Sequence, residues 1–147
     1  MQDIMQDRYK FKIWDKTEKK FLPLDSKTEN TDSWISIDNT GVYLVERDNA
    51  RDVAFFTDIT EDVIILQCTG RCDDKKQLIY EGDIVNGHCG VYWMKMLVIW
   101  DEISAAFYFK KLDKKGKLLP FVSVSTFVEI IGNRYENPEL LEVGILA

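Results

Sequence analysis

Histidine occurs once in the 147 residues, at His88. Ser-His or Cys-His catalysis needs a nucleophile with an oriented base in reach, and no Gly-x-Ser-x-Gly elbow accompanies that imidazole, so both triad chemistries are disfavoured. Cysteine is nearly as scarce: three residues, an odd number in a chain with no export signal, read as reduced thiols and not as a disulfide framework. Long hydrophobic runs are missing. The most apolar stretch, VYWMKMLVIW at 91–100, contains Lys95 and is about half the roughly 20 residues that a membrane helix needs. The opening MQDIMQDRYK has acids and no apolar h-region, so it is no secretory signal, and the expected location is the cytoplasm of a bacterial host cell. Positive charge is in deficit, with 19 Lys and Arg against 25 Asp and Glu and a net charge of −6. Because nonspecific nucleic-acid affinity comes largely from counterions displaced by Lys and Arg, nucleic acid is a disfavoured partner. Repeats, low-complexity tracts and Pro/Ser-rich linkers are absent, which leaves residues 1–147 as one domain.

What is present is strand. Hydrophobic residues are 46% and charged residues 30%, enough apolar material for a packed core. YKFKIW, from Tyr9, alternates with a period of two, and DKTEKK then FLPL complete a hairpin over 9–24, with Asp15 suited to an Asx turn. DSKTENTDS reads as a polar, mobile loop. Residues 34–37 and 42–45 flank DNTG, a second hairpin turn. In the middle, Val53, Phe56 and Ile59 have helical spacing, but the β-branched content favours strand, with one helical turn at 58–63. MLVIWDEISAAFYFKK reads as two strands about an acidic turn at 101–104, and Gly116 turns another hairpin in LDKKGKLL. Residues 121–131 alternate as a two-faced strand ended by Gly132. Asn137 as N-cap, Pro138 at the first helical position and Glu139 near the positive dipole end predict a short closing helix. Many short strands imply a small barrel or sandwich. Within it, YEGDIV reads as a turn that launches a strand: Gly82 takes backbone angles barred to other residues, and Asp83 accepts from turn amides.

Reactive constellations are weak. Cys68, Cys72, His88 and Cys89 have the residue types that zinc prefers, but the spacing is poor and adjacent residues of a strand face opposite ways, so no metal site is assigned. Asp73, Asp74, Glu81 and Asp83 could hold a hard cation or act as acid and base, yet acids in polar loops are ordinarily solvated surface. Trp93, Trp100, Phe107, Tyr108 and Phe109 could stack bases, but without interleaved Lys or Arg they read as core. KKLDKKGK at 110–117 is the one basic cluster and reads as a solubilising hairpin tip.

Three blocks, FKIWDKTEKKF (11–21), ILQCTGRCDDKKQLIYEGDIV (65–85) and EIIGNRYENPELL (129–141), resemble in that order the YopX family of small proteins encoded by phages and prophage-type elements. The resemblance implies a mainly β fold with an SH3-like barrel over about 64–138, and supplies no reaction, substrate or cofactor. The chain departs from the family pattern where Cys68 takes an aromatic position, Arg71 and Cys72 replace Leu-Lys, and DDKKQL lacks the turn glycine. Residues 25–62 have no counterpart in that pattern and read as an insertion within an N-terminal β-hairpin region, 1–63.

The expectation is therefore a mainly β protein, an SH3-like barrel after an N-terminal hairpin region, with a short C-terminal helix. It is a non-enzymatic phage or mobile-element accessory protein that binds a protein partner or itself, since open β edges and exposed aromatics are association surfaces. The alternative is a nucleic-acid-associated module using the 110–117 hairpin. No catalytic residue, cofactor, metal or membrane partner is assigned. Tyr80, Glu81, Asp83, Trp93, Trp100 and Tyr135 are the candidate interaction surface.

Overall fold

The computed structural model describes residues 9–89, 91–121 and 127–142. The strands are β1 (Phe11–Asp15), β2 (Lys20–Leu22), β3 (Asp25–Lys27), β4 (Thr31–Asp38), β5 (Gly41–Asp48), β6 (Val53–Asp58), β7 (Val63–Cys72), β8 (Leu78–Tyr80), β9 (Asp83–Cys89), β10 (Tyr92–Asp101), β11 (Ala106–Lys111), β12 (Leu118–Pro120) and β13 (Val128–Asn133). Among the described residues no helix is long and apolar enough to cross a membrane. The chain divides into two compact units, Lys12–Ile65 and the remainder, and passes from one to the other within β1 and β7.

In the first, which we call the meander unit, β1 and β2 form the expected hairpin, in register Ile13↔Leu22. The Asp15 carboxylate accepts from the Thr17 and Glu18 amides at 2.9 and 3.1 Å, so the turn donors are satisfied locally. Trp14 meets Phe21 edge-on, 5.0 Å between ring centroids. β3, β4, β5 and β6 follow as an antiparallel meander in sequence order. The DNTG turn closes Asp38 against Gly41, with the Asp38 carboxylate accepting from the Thr40 and Gly41 amides. A single 3-10 turn, Thr60–Asp62, sits where one helical turn is expected. DSKTENTDS is not a mobile loop: β3 pairs with β4 through Ser26↔Ser33, and only residues 28–30 turn. Its turn is held by Thr28, whose amide and hydroxyl both donate to the Thr31 carbonyl.

The second, C-terminal unit is a five-stranded antiparallel sheet in the order β12-β11-β10-β9-β13. Its core face is built by cross-strand rows: Ile130, Val85 and Met96 in one, Val98, Phe109 and Leu119 in the next. Ile79, Val85, Met96, Val98, Phe109 and Val128 are buried together. Each such side chain contributes roughly 1.5–3 kcal/mol relative to leaving it in water. Phe121 stacks on Phe109 at 4.1 Å. Of the strand expected at 121–131, residues 122–126 lie outside those described; β13 starts at Val128 and continues through Gly132 to Asn133, with an irregular register at Ile131 that lets it bend. The expected closing helix is one 3-10 turn, Pro138–Leu141, without a side-chain cap. It packs against Gly132, where a Cβ would lie 2.6 Å from Asn137 Oδ1.

The YEGDIV turn ends β8 and starts β9, and it transfers the chain between partners: β8 pairs with β7, β9 with β10 and β13. Gly82 has φ +88° and its would-be Cβ lies 2.8 Å from the Tyr135 ring, so a side chain is excluded twice.

Candidate interaction site

The core face of β10 carries Met94, Met96, Val98 and Trp100, because alternate residues of a strand share a face. Met96 and Val98 are buried and Met94 partly so, and the row ends at Trp100, opposite Phe107 on β11. The β10–β11 turn fixes that end: the Asp101 carboxylate accepts from the Ser104 amide and hydroxyl, and Ala105 takes a left-handed φ of 52°. Trp100 is 39% exposed and meets Phe107 edge-to-face, 4.9 Å between centroids. Beyond them opens a cleft of about 360 Å³, lined also by Tyr9, Gln67, Cys68 and Thr69. Its floor is rigid. The Thr69 hydroxyl donates to the Ile79 carbonyl at 2.8 Å, Cys68 is buried with its sulfur accepting from the Gly70 amide, and the Cys68 amide donates to the Lys10 carbonyl. Two aromatic faces over a hydrogen-bonded floor, with Gln67 exposed beside them, form a surface for an apolar or planar group with one polar contact.

Glu81 is close by in the chain of bonds, its amide donating to the Gln67 carbonyl at 2.9 Å. Partial burial raises its carboxyl above the ordinary value, opposed by the Gln67 amide and the Arg134 charge. Burial likewise raises the Tyr135 phenol, with Arg134 opposing and Glu81 adding to the shift. The Arg134 guanidinium lies 5.8 Å from the Tyr135 ring centroid. Half-buried Glu81 and Tyr135 and exposed Arg134 thus gather around the Gly82 turn, where the Gly82 carbonyl accepts from the Arg134 amide.

The six expected surface residues do not form one surface. Tyr80 and Asp83, at 8% and 6% exposure, are interior: the Asp83 carboxylate accepts from the Tyr80 amide at 2.8 Å and closes the turn. Glu81 and Tyr135 come together. Trp93 and Trp100 are seven positions apart on a regular strand, an odd spacing, so they face opposite sides of the sheet. Trp93, 55% exposed, packs edge-on against His88 at 4.8 Å. Tyr9, Gln67 and Thr69 were not singled out by sequence, since nothing local marks their convergence. The expected hairpin about residues 101–104 carries the signal for the Trp100–Phe107 pair, which is the second pair out from that turn, after Asp101↔Ala106.

The other constellations separate. Cys68 is buried and Cys72 exposed, and the side chain of Cys89 lies outside the described residues. Among the described residues no group of three or more His, Cys, Asp or Glu is placed to hold a metal ion. Asp73 is a buried latch: its carboxylate accepts from the Lys75, Gln77 and Ile130 amides, tying the β7–β8 turn to β13. Asp74 is exposed. Lys110, Lys114, Lys115 and Lys117 stand exposed about the β11–β12 turn, where Asp113 accepts from the Lys115 and Gly116 amides.

The family model described as "YopX protein" matches residues 10–142. The crystal structure of protein EF1440 from Enterococcus faecalis superposes with a TM-score of 0.55 at 21% identity, over 90% of this chain and 97% of that one. At that identity the likeness is one of fold. No curated protein matches the chain.

Proposed function

The chain belongs to the YopX protein family, and on that premise we propose that it is a non-enzymatic accessory protein of a phage or mobile element, acting in the bacterial cytoplasm by binding a protein partner at the Trp100–Phe107 cleft. The observation that carries this reading is the break in the core row: Met96 and Val98 are buried, whereas the next residue on that face, Trp100, is 39% exposed and packs edge-on against Phe107 of β11. Exposed aromatic pairs in a concave, preformed site are the usual energetic centres of protein interfaces. The absence of assigned chemistry fits the use of the ionisable groups, since Asp73 and Asp83 accept from backbone amides and His88 packs on Trp93. We read residues 64–138 as an SH3-like barrel, on the support of the five antiparallel strands β9 to β13 and the bend at Ile131 in β13.

The test is affinity capture from induced host cells with the wild-type chain, Trp100→Ala and Phe107→Ala in parallel. The expected result is a protein partner retained by wild type and bound at least about 30-fold more weakly by either variant, the ~2 kcal/mol of an interface hot spot. Equal retention by all three overturns the cleft. Capture of nucleic acid that weakens steeply with salt, and with lysine substitutions at 114 and 115, favours the alternative module instead.

A further inference from the structure

We propose that β6 is an interface strand, which pairs antiparallel with β6 of a second copy of this chain. Sheet edges carry unpaired backbone groups, and proteins blunt them with short strands, proline, lysine or bulges. The other terminal strands here are blunted. β2, β3, β8 and β12 are three residues each; β2 runs into Pro23, β3 ends in Lys27, β12 ends in Pro120, and β13 is irregular at Ile131. β6 has none of these devices. It is six residues, VAFFTD, in unbroken register with β5, and every residue is exposed, Phe55 at 61% and Phe56 at 70%.

Its backbone direction follows from the ladder. The Ile59 amide donates to the Val42 carbonyl, and Leu44 opposes Thr57, so Val53, Phe55 and Thr57 turn their polar groups toward β5. Ala54, Phe56 and Asp58 turn theirs outward. Residues opposed in an antiparallel pair must both point in or both point out, which limits a two-fold pairing to registers centred on one residue. Centring on Phe55 sets Asp52 against Asp58 twice. Centring on Phe56 keeps five residues paired, 54–58, with Ala54 opposite Asp58, Phe55 opposite Thr57, and no like charges opposed. Charge also selects the direction. The start of β6 lies beside Arg47 and Arg51, ion-paired with Asp52 and Asp48, whereas segment 56–62 holds Asp58, Glu61 and Asp62 and no base. Antiparallel pairing lays the acidic end of one strand along the arginine end of the other; parallel pairing lays acid on acid. The occupant of this edge is therefore its own copy, and the pairing is independent of the Trp100 cleft.

Analytical ultracentrifugation of the full chain across a concentration series is the test, with Ala54→Pro, Phe56→Lys, Phe56→Cys and Phe55→Cys. Ala54→Pro removes an outward N–H and leaves the β5 ladder intact. We expect a concentration-dependent dimer, weakened at least about tenfold by Ala54→Pro and by Phe56→Lys, ~1.4 kcal/mol. Mild oxidation is expected to cross-link Phe56→Cys, whose opposed Cα atoms lie about 5.5 Å apart in this register, well beyond wild type with its native cysteines. Phe55→Cys is expected to match wild type. A wild-type chain that stays monomeric at its highest soluble concentration, a dimer untouched by both blocking substitutions, or cross-linking at Phe55→Cys in place of Phe56→Cys overturns the proposal. Should a blocking variant fail to fold by circular dichroism, the cysteine pair decides alone.

Discussion

The two units use strands for different ends. In the C-terminal unit, residues from β9, β10, β11 and β13 meet in one buried cluster with Ile79 of β8. In the meander unit, β3, β4 and β6 contain no buried residue at all, and burial in the meander is confined to Val42 and Val45 of β5. Backbone ladders and Asx turns define the meander, side-chain burial defines the sheet. The other buried residues of that unit, Ile13, Trp14 and Val63, lie outside β3–β6, so the β3–β6 sheet, held mostly by ladders, has little to lose from side-chain truncation and much to gain from a covered edge.

The largest expected difference is in core truncation. Phe109→Ala removes a ring that is 3% exposed and stacked on Phe121, and is expected to lower unfolding free energy by about 3–5 kcal/mol. Phe55→Ala, in dilute solution where any dimer is dissociated, is expected to change it by less than about 0.5 kcal/mol. Urea titrations of both variants decide the matter. A comparable loss at Phe55 would mean the meander has a core that its exposure conceals.

Next in size are the aspartates that close turns. Asp73→Ala leaves three part-buried backbone amides without their acceptor and separates the β7–β8 turn from β13, an expected loss of about 1–3 kcal/mol. Asp38→Ala frees amides that water can reach, and its effect is expected to be smaller. The same urea titration separates them; equal midpoint shifts would break the contrast.

These turns also mark what the sequence made legible. Asp15, Asp38, Asp101 and Asp113 each accept from amides two or three residues on, a local bond that needs no tertiary context; the first three turns are legible from these polar residues and the fourth from Gly116. The strand at Gly82–Asp83 was readable for the same reason. DSKTENTDS was not, because a strand with no buried face has no reason to alternate, and period two is the signal on which strand reading depends. Tyr80 and Asp83 are buried, and burial of a turn is decided by what packs around it, which for Gly82 includes Tyr135 and Arg134 about fifty residues away in the chain. The cleft was hidden likewise, since Tyr9, Gln67 and Trp100 are joined only by the fold.

The smallest effect is in pH, and it runs in opposite directions at the two kinds of turn. The Glu81 carboxyl is raised by burial, so the folded state keeps its proton to higher pH than the unfolded chain. Its contribution is present at low pH and is lost as pH climbs from the ordinary glutamate value through the raised one. Asp38 and Asp58 are held below the usual carboxylate range by the hydroxyls of Thr40 and Thr60, and Asp101 by that of Ser104. Their contributions are present above the ordinary aspartate value and are lost as pH falls through the lowered ones. Acidification is thus expected to loosen the Asp38 and Asp58 turns of the meander while the Glu81 turn tightens. Glu81→Gln should flatten the stability slope just above the ordinary glutamate value and leave the more acidic limb unchanged. Amide NMR of Thr40, Thr60 and Glu81 through the same titration reports each turn separately. A slope that survives in Glu81→Gln would mean that another group, and not the half-buried carboxyl between Gln67 and Arg134, titrates there.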